Sequence, residues 1–380
     1  MSATLELARI IIPFRRAFRH AAAERSETEG VWVEVRTRRG AVGHGEACPR
    51  PYVTGENLAS VRAFFRRHRA WWCERIEDLS DLVAWMTMHR AEIDANPAAW
   101  CAVELAWLDA LAQDRAVSVE ALLGIDEVHG PFRYSAVVGV EQGEDFRAIV
   151  ERYVAAGLDD FKIKLSGDLA RDQVCLGRFA QLAPVGSRLR LDANNLWITP
   201  AEAARYLERL ACAIFAIEEP LRPAGRYEAL AELAAALRVR MILDESCLRA
   251  EQLVALTARS YGDLVEGPAP WIVNLRVSKM GGLLRSLRVV ELARQHGVRV
   301  VVGAQVGETS LLTRAALTVA SEARGILVAQ EGAFGKLLLS ADICDEPLMF
   351  GRGGLLEAPT PSGPGFGLRI RPDPRLLLPL

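Results

Sequence analysis

The chain has 380 residues, 51% hydrophobic and 25% charged, with a formal net charge of −2. It can bury a large core and is too long for one small domain, so one large and one smaller domain are expected. The balanced charge, with no long basic run, argues against nucleic-acid binding, and no uncharged apolar run nears the roughly 18–20 residues of a membrane span.

The start, Met1-Ser2-Ala3-Thr4-Leu5-Glu6, lacks the basic and apolar regions of a signal peptide. Seven scattered cysteines, an odd number with no C-x-x-C pair, read as reduced thiols of a cytoplasmic protein. Residues 1–130 are mixed. Val31-Trp32-Val33-Glu34-Val35-Arg36-Thr37 alternates like a strand and turns at Arg38-Arg39-Gly40, and helical periodicity follows around 57–70, 78–91 and 97–113. This is an α+β domain. From 131 to 354 the pattern becomes strand–helix alternation, with strands near 134–138, 161–165, 188–192, 214–218, 241–244, 272–276, 299–303 and 326–330. Eight such units, with no G-x-G-x-x-G after the first strand, predict an α/β fold built as a closed TIM-type barrel rather than an open doubly wound sheet. The tail, 355–380, is rich in Pro and Gly and is expected to return to the N-terminal domain.

Four segments of the barrel repeat one design: Phe161-Lys162-Ile163-Lys164-Leu165, Leu189-Arg190-Leu191-Asp192-Ala193-Asn194, Phe215-Ala216-Ile217-Glu218-Glu219-Pro220 and Met241-Ile242-Leu243-Asp244-Glu245-Ser246. Each is a short apolar run ending in charge, as a buried parallel strand does where its C-terminal end opens onto a site. From Lys164 to Asp192, Glu218 and Asp244 the steps are 28, 26 and 26 residues. A single acid at a strand end more often caps the helix that follows. Three in register beside a lysine pair point instead to a divalent cation, Mg²⁺ or Mn²⁺, held by hard oxygen ligands. Glu219 and Glu245 are expected to turn away, while Asn194 is placed to orient a ligand. Lys162 and Lys164 share one face of their strand, so each ammonium is expected to depress the other's pKa and make a general base available.

With Asn274-Leu275-Arg276-Val277-Ser278-Lys279-Met280-Gly281-Gly282, Gly43-His44-Gly45-Glu46-Ala47 and Tyr52-Val53-Thr54-Gly55-Glu56, these segments resemble the enolase superfamily, in particular its muconate-lactonising subgroup. That subgroup includes cycloisomerases, o-succinylbenzoate synthases, N-succinylamino acid racemases and dipeptide epimerases. The resemblance covers nearly the whole chain and implies a capping domain over a modified (β/α)₇β barrel, Mg²⁺, and removal of a proton α to a carboxylate. It implies Lys164 as the base, with Lys162 lowering its pKa.

The sixth strand departs from the pattern, because the family commonly has a lysine where Arg276 stands. Arginine stays protonated, which makes it a poor second base and disfavours two-base racemisation. A one-base lyase or cycloisomerase acting on a small organic acid is the leading expectation, with Arg276 supporting the enolate electrostatically. A two-base racemase or epimerase of N-acylamino acids or dipeptides is the alternative if Lys279 enters the site, and a non-catalytic relative is a third. By resemblance, substrate contacts come from loops carrying Arg15, Arg16, Phe18, Arg19 and His20, and Tyr52, Val53 and Thr54. Gln305 and Glu308 follow the seventh strand at the pocket wall. Of the acid pair with which dipeptide epimerases hold an ammonium after the eighth strand, only Glu331 is present, since Ala329 fills the other position. No histidine ends the sixth or seventh strand, which argues against the mandelate-racemase branch. A homo-oligomer is expected from the family's build.

Overall fold

The computed structural model describes residues 2–20, 23–141, 143–258, 270–361 and 363–380, with the backbone alone at 16–20 and 23–24. The chain opens with strands β1 (Thr4–Ile10), β2 (Pro13–His20), β3 (Ala23–Glu27), β4 (Gly30–Arg36) and β5 (Val42–Ala47). Helices α1 (Leu58–Arg75), α2 (Leu79–Met88), α3 (Arg90–Ala95), α4 (Pro97–Asp114) and α5 (Val119–Leu123) follow. Local chemistry sets the helix starts: Asn57 and Ser60 form a reciprocal capping box on α1, and Pro97 opens α4. β1, β4 and β5 form an antiparallel sheet that lies on the almost wholly buried α4. Glycine lets the two backbones approach. A Cβ on Gly45 would stand 1.9 Å from the Ala102 carbonyl oxygen, and one on Gly43 would stand 2.3 Å from that of Ala106.

After β6 (Phe132–Arg133), the barrel strands are β7 (Ala136–Val138), β8 (Asp160–Lys164), β9 (Arg188–Asp192), β10 (Ala216–Glu218), β11 (Arg240–Leu243), β12 (Trp271–Leu275), β13 (Arg299–Val302) and β14 (Leu327–Gln330). Each pairs in parallel with the next, and the Ser135 N–H donates to the Gln330 carbonyl at 2.8 Å, joining the eighth strand to the start of the first. Helices α6 (Gly143–Ala155), α7 (Leu169–Leu182), α8 (Pro200–Arg209), α9 (Tyr227–Leu237), α10 (Ala250–Thr257), α11 (Val277–Met280), α12 (Leu283–Gln295) and α13 (Ser310–Glu322) occupy the crossovers. A 3₁₀ turn at Gly335–Leu337, not an α-helix, follows β14, which gives the (β/α)₇β arrangement. Inside, Ala216, Ile242, Ile272, Val301 and Ala329 make a small apolar cluster of their own. The chain then runs through β15 (Leu355–Leu356), paired with β6, to β16 (Leu377–Pro379), which extends the first sheet beside β1. Among the described residues no helix is long and apolar enough to cross a membrane.

Buried carboxylates stitch the two parts together. Glu46 on β5 accepts from Thr309 N (2.8 Å), Thr309 Oγ1 (2.6 Å) and Leu312 N (3.1 Å) at the start of α13. Glu104 on α4 accepts from Leu284 N at the start of α12 (3.0 Å) and from Trp100 Nε1 (3.1 Å). Each supplies a barrel helix with acceptors for its free first-turn amides. Burial pushes both carboxyls up to about 7, against the pull of those donors.

Candidate active site

The strand register brings the four charged segments into one ring. Lys164 lies beside Asp192 and Asp192 beside Glu218, while Asp244 follows the end of β11. Above them a cavity of about 270 Å³ is lined by Tyr52, Lys162, Lys164, Asn194, Glu245, Arg276, Gln305, Glu308 and Glu331. Val137, Val306, Phe334, Leu338 and Leu339 give it an apolar wall. Asp192, Glu218 and Asp244 are buried behind the lining side chains that bond them.

Lys164 Nζ donates to Asp192 Oδ2 at 2.6 Å and to Asn194 Oδ1 at 3.0 Å. Lys162 Nζ stands 2.6 Å from Glu331 Oε2, 3.1 Å from Glu218 Oε2 and 3.7 Å from Asp192 Oδ2. Burial alone would lower the Lys162 pKa, but Glu218, Glu331 and Asp192 together hold it above its ordinary value. This corrects the expectation that the pKa of Lys162 is depressed: Lys162 is matched by carboxylates. Arg276 hydrogen-bonds Asp244 and, at 3.0 Å, Gln305 Oε1, and it approaches Glu218 Oε1 to 3.7 Å. Its pKa is raised further despite burial, chiefly by Asp244 and Glu218, so it is a fixed cation.

Burial opposes ionisation of all three acids. In Asp192 the Lys164 and Lys162 ammoniums overcome it, and in Asp244 Arg276 and Lys279 do, so both carboxyls lie below the usual range. In Glu218 burial prevails and the pKa rises. Among the described residues no three acidic, imidazole or thiol groups already converge as a cage, because the carboxylate oxygens are turned to lysine and arginine. The donor set nonetheless fits a hard divalent cation: three buried carboxylates side by side at neighbouring strand ends.

Other expected residues meet different ends. Lys279 is buried, and its Nζ donates to Asp244 Oδ1 (2.8 Å) and to the carbonyls of Asp244 (2.9 Å) and Asn274 (2.6 Å). It is not among the residues that line the cavity, and it braces Asp244. Thr54 is a correction too: its hydroxyl donates to Glu56 Oε2 at 2.9 Å, away from the lining. The side chains of Arg19 and His20, like those of Arg16 and Phe18, lie outside the described residues. Glu308 takes the Gln305 N–H at 2.6 Å, and burial pushes it up to about 8. Glu219 turns away as expected, accepting from Asp244 N, Ser246 N and Ser246 Oγ at 2.6, 2.7 and 2.8 Å.

Three residues escaped the sequence reading. Glu245, expected to turn away, lines the cavity. Asn274 donates to Glu218 Oε1 at 2.9 Å, and Arg190 donates to Glu331 Oε1 at 2.6 Å. Asn274 stands two residues before Arg276 and Arg190 two before Asp192, so strand alternation was the signal for both.

A family model described as "Enolase C-terminal domain-like" matches residues 145–374, and one described as "Mandelate racemase / muconate lactonizing enzyme, N-terminal domain" matches 6–124. The chain is 30% identical over 293 residues to the L-Lys-D/L-Arg epimerase of Methylococcus capsulatus, covering 77% of this chain and 79% of that protein. It is 27% identical over 376 residues to muconate cycloisomerase 1 of Rhodococcus opacus, covering 95% and 94%. The crystal structure of the Methylococcus capsulatus dipeptide epimerase with Mg and L-Arg-D-Lys superposes with a TM-score of 0.81 at 28% identity, covering 97% of this chain and all of that one.

Proposed function

Because the chain belongs to the enolase superfamily, in its muconate-lactonizing subgroup, we propose that it removes the proton α to a carboxylate of a small organic acid in a Mg²⁺-dependent reaction, with Lys164 as the base. The observation that carries this reading is the position of Lys164: it lines the cavity while its Nζ is tied to Asp192 and Asn194. Asp192, Glu218 and Asp244 are the residues that would hold Mg²⁺. When bound, the ion supplies Lewis-acid chemistry, drawing off negative charge that develops on the substrate carboxylate. Asn194 aims Lys164, Asn274 aims Glu218, and Arg276 and Lys279 fix Asp244. Arg276 reaches the cavity from the sixth strand, across the barrel from the second strand that carries Lys164, and places a permanent positive charge opposite the base.

The relatives favour epimerisation of a dipeptide over the lyase or cycloisomerase expected from Arg276. A muconate cycloisomerase among them keeps the second reading in view, and Arg276 supports it: with no lysine on the opposite face, Lys164 returns the proton to the face it came from. Proton NMR in D₂O separates the readings, using dipeptides, N-succinylamino acids and unsaturated diacids with Mg²⁺ and an EDTA control. Metal-dependent loss of an α-proton signal is expected. Inverted configuration would establish the epimerase, and retained configuration or a new alkene or lactone the one-base reaction. Exchange that persists in EDTA would overturn the metal-dependent reading.

A further inference from the structure

Glu331, expected at a substrate amine, has other partners. Its Oε1 accepts from Arg190 Nη1 at 2.6 Å, and its Oε2 stands 2.6 Å from Lys162 Nζ. The nearest carboxylate to Lys162 is therefore not one of the three acids but Glu331 at the end of the eighth strand. Glu218 and Asp192 are farther, at 3.1 and 3.7 Å. Arg190 is fully buried, with Nε and Nη2 making no hydrogen bond, and Glu331 is its only hydrogen-bond acceptor among the described residues. Asp160 lies 3.5 Å from it as a second counter-charge.

A divalent ion among Asp192, Glu218 and Asp244 repels the Lys162 ammonium, and an ammonium that stays on Glu218 competes for the same oxygens. Lys162 cannot escape into water, because it is buried, so it needs a carboxylate outside the triad. We propose that Glu331, held in place by Arg190, is the counter-ion that draws Lys162 off the acidic triad and so sets the affinity of the site for a divalent cation. Glu331 and Arg190 are positioning residues. The inference rests on the triad being a divalent-cation site.

The test is calorimetric titration of the full chain with MgCl₂ alone, with circular dichroism as the check on folding. Glu331→Gln should bind Mg²⁺ about tenfold more weakly or worse, the range seen when partners of metal ligands are removed. Lys162→Met combined with Glu331→Gln should recover most of that loss, since no ammonium remains to compete. A folded Glu331→Gln variant with wild-type affinity overturns the proposal. So does a double variant as weak as the single one, because the loss would then be structural. If Glu331→Gln does not fold, Arg190→Met with Glu331→Gln removes both buried charges and carries the same expectation. Wild-type protein that binds no Mg²⁺ would instead sink the cation reading itself.

Discussion

Lys164 and Lys162 stand two residues apart on one strand yet have different surroundings, and that difference assigns their work. Lys164 touches one acid and one amide, whereas Lys162 is wedged among three acids. Lys164→Ala should therefore lower α-proton exchange by about 10²–10⁴-fold, the usual worth of a general base, while calorimetry still records Mg²⁺ binding. Unchanged exchange would remove Lys164 from that role. Arg276→Lys restores a group able to give and take a proton opposite Lys164. Inversion at the α-carbon, followed by chiral chromatography, should then rise relative to wild type, and an unchanged ratio would show that this position does not control the second face. The charged strand ends were legible because they recur at a nearly constant step. The roles of Arg190 and Glu331 were not: they stand 141 residues apart, and the bond between them exists only once the barrel closes.

At the scale of elements, the barrel strands were readable as short segments, largely apolar, that end in or next to charge and alternate with helical stretches, and the helices of the first domain from their period. The hairpin of β2 and β3 was not. Pro13-Phe14-Arg15-Arg16-Ala17-Phe18-Arg19-His20 carries three arginines and a histidine and no alternation, so nothing local distinguishes it from a loop. The close approach of β5 to α4 was equally hidden, although Gly43 and Gly45 alternate along that strand. Gly45→Ala must push the strand off the Ala102 carbonyl, and overpacking of this kind costs about 1–3 kcal/mol. Urea unfolding should show the midpoint fall with little change in slope. A midpoint equal to wild type would mean that the strand shifts without cost.

Across the whole molecule, folding buries carboxyls whose pKa rises above the ordinary value of 4.5, among them Glu46, Glu56 and Glu104, each pushed up to about 7 mainly by burial. A group whose pKa is raised on folding takes up a proton as the chain folds. Stability is then fullest below pH 4.5 as far as these groups decide it, and it declines as pH climbs toward about 7. The thermal midpoint should drop between roughly pH 5 and pH 7.5, and Glu46→Gln should flatten part of that slope. A midpoint that rises over the same interval would show that other groups dominate the balance.

The same carboxylates bear on how such a protein can change over time. Glu46 and Glu104 reach from the first domain to amides of α13 and α12, so each contact has one half in either part of the chain. A chimera that grafts another relative's first domain onto this barrel would bring two surfaces shaped in separate lineages, and an acid missing on one side would leave helix amides on the other without a buried partner. Recombination at the domain boundary is thereby penalised. New specificities should arise instead by drift in the loops around the cavity, where a substitution needs no matching change across the seam.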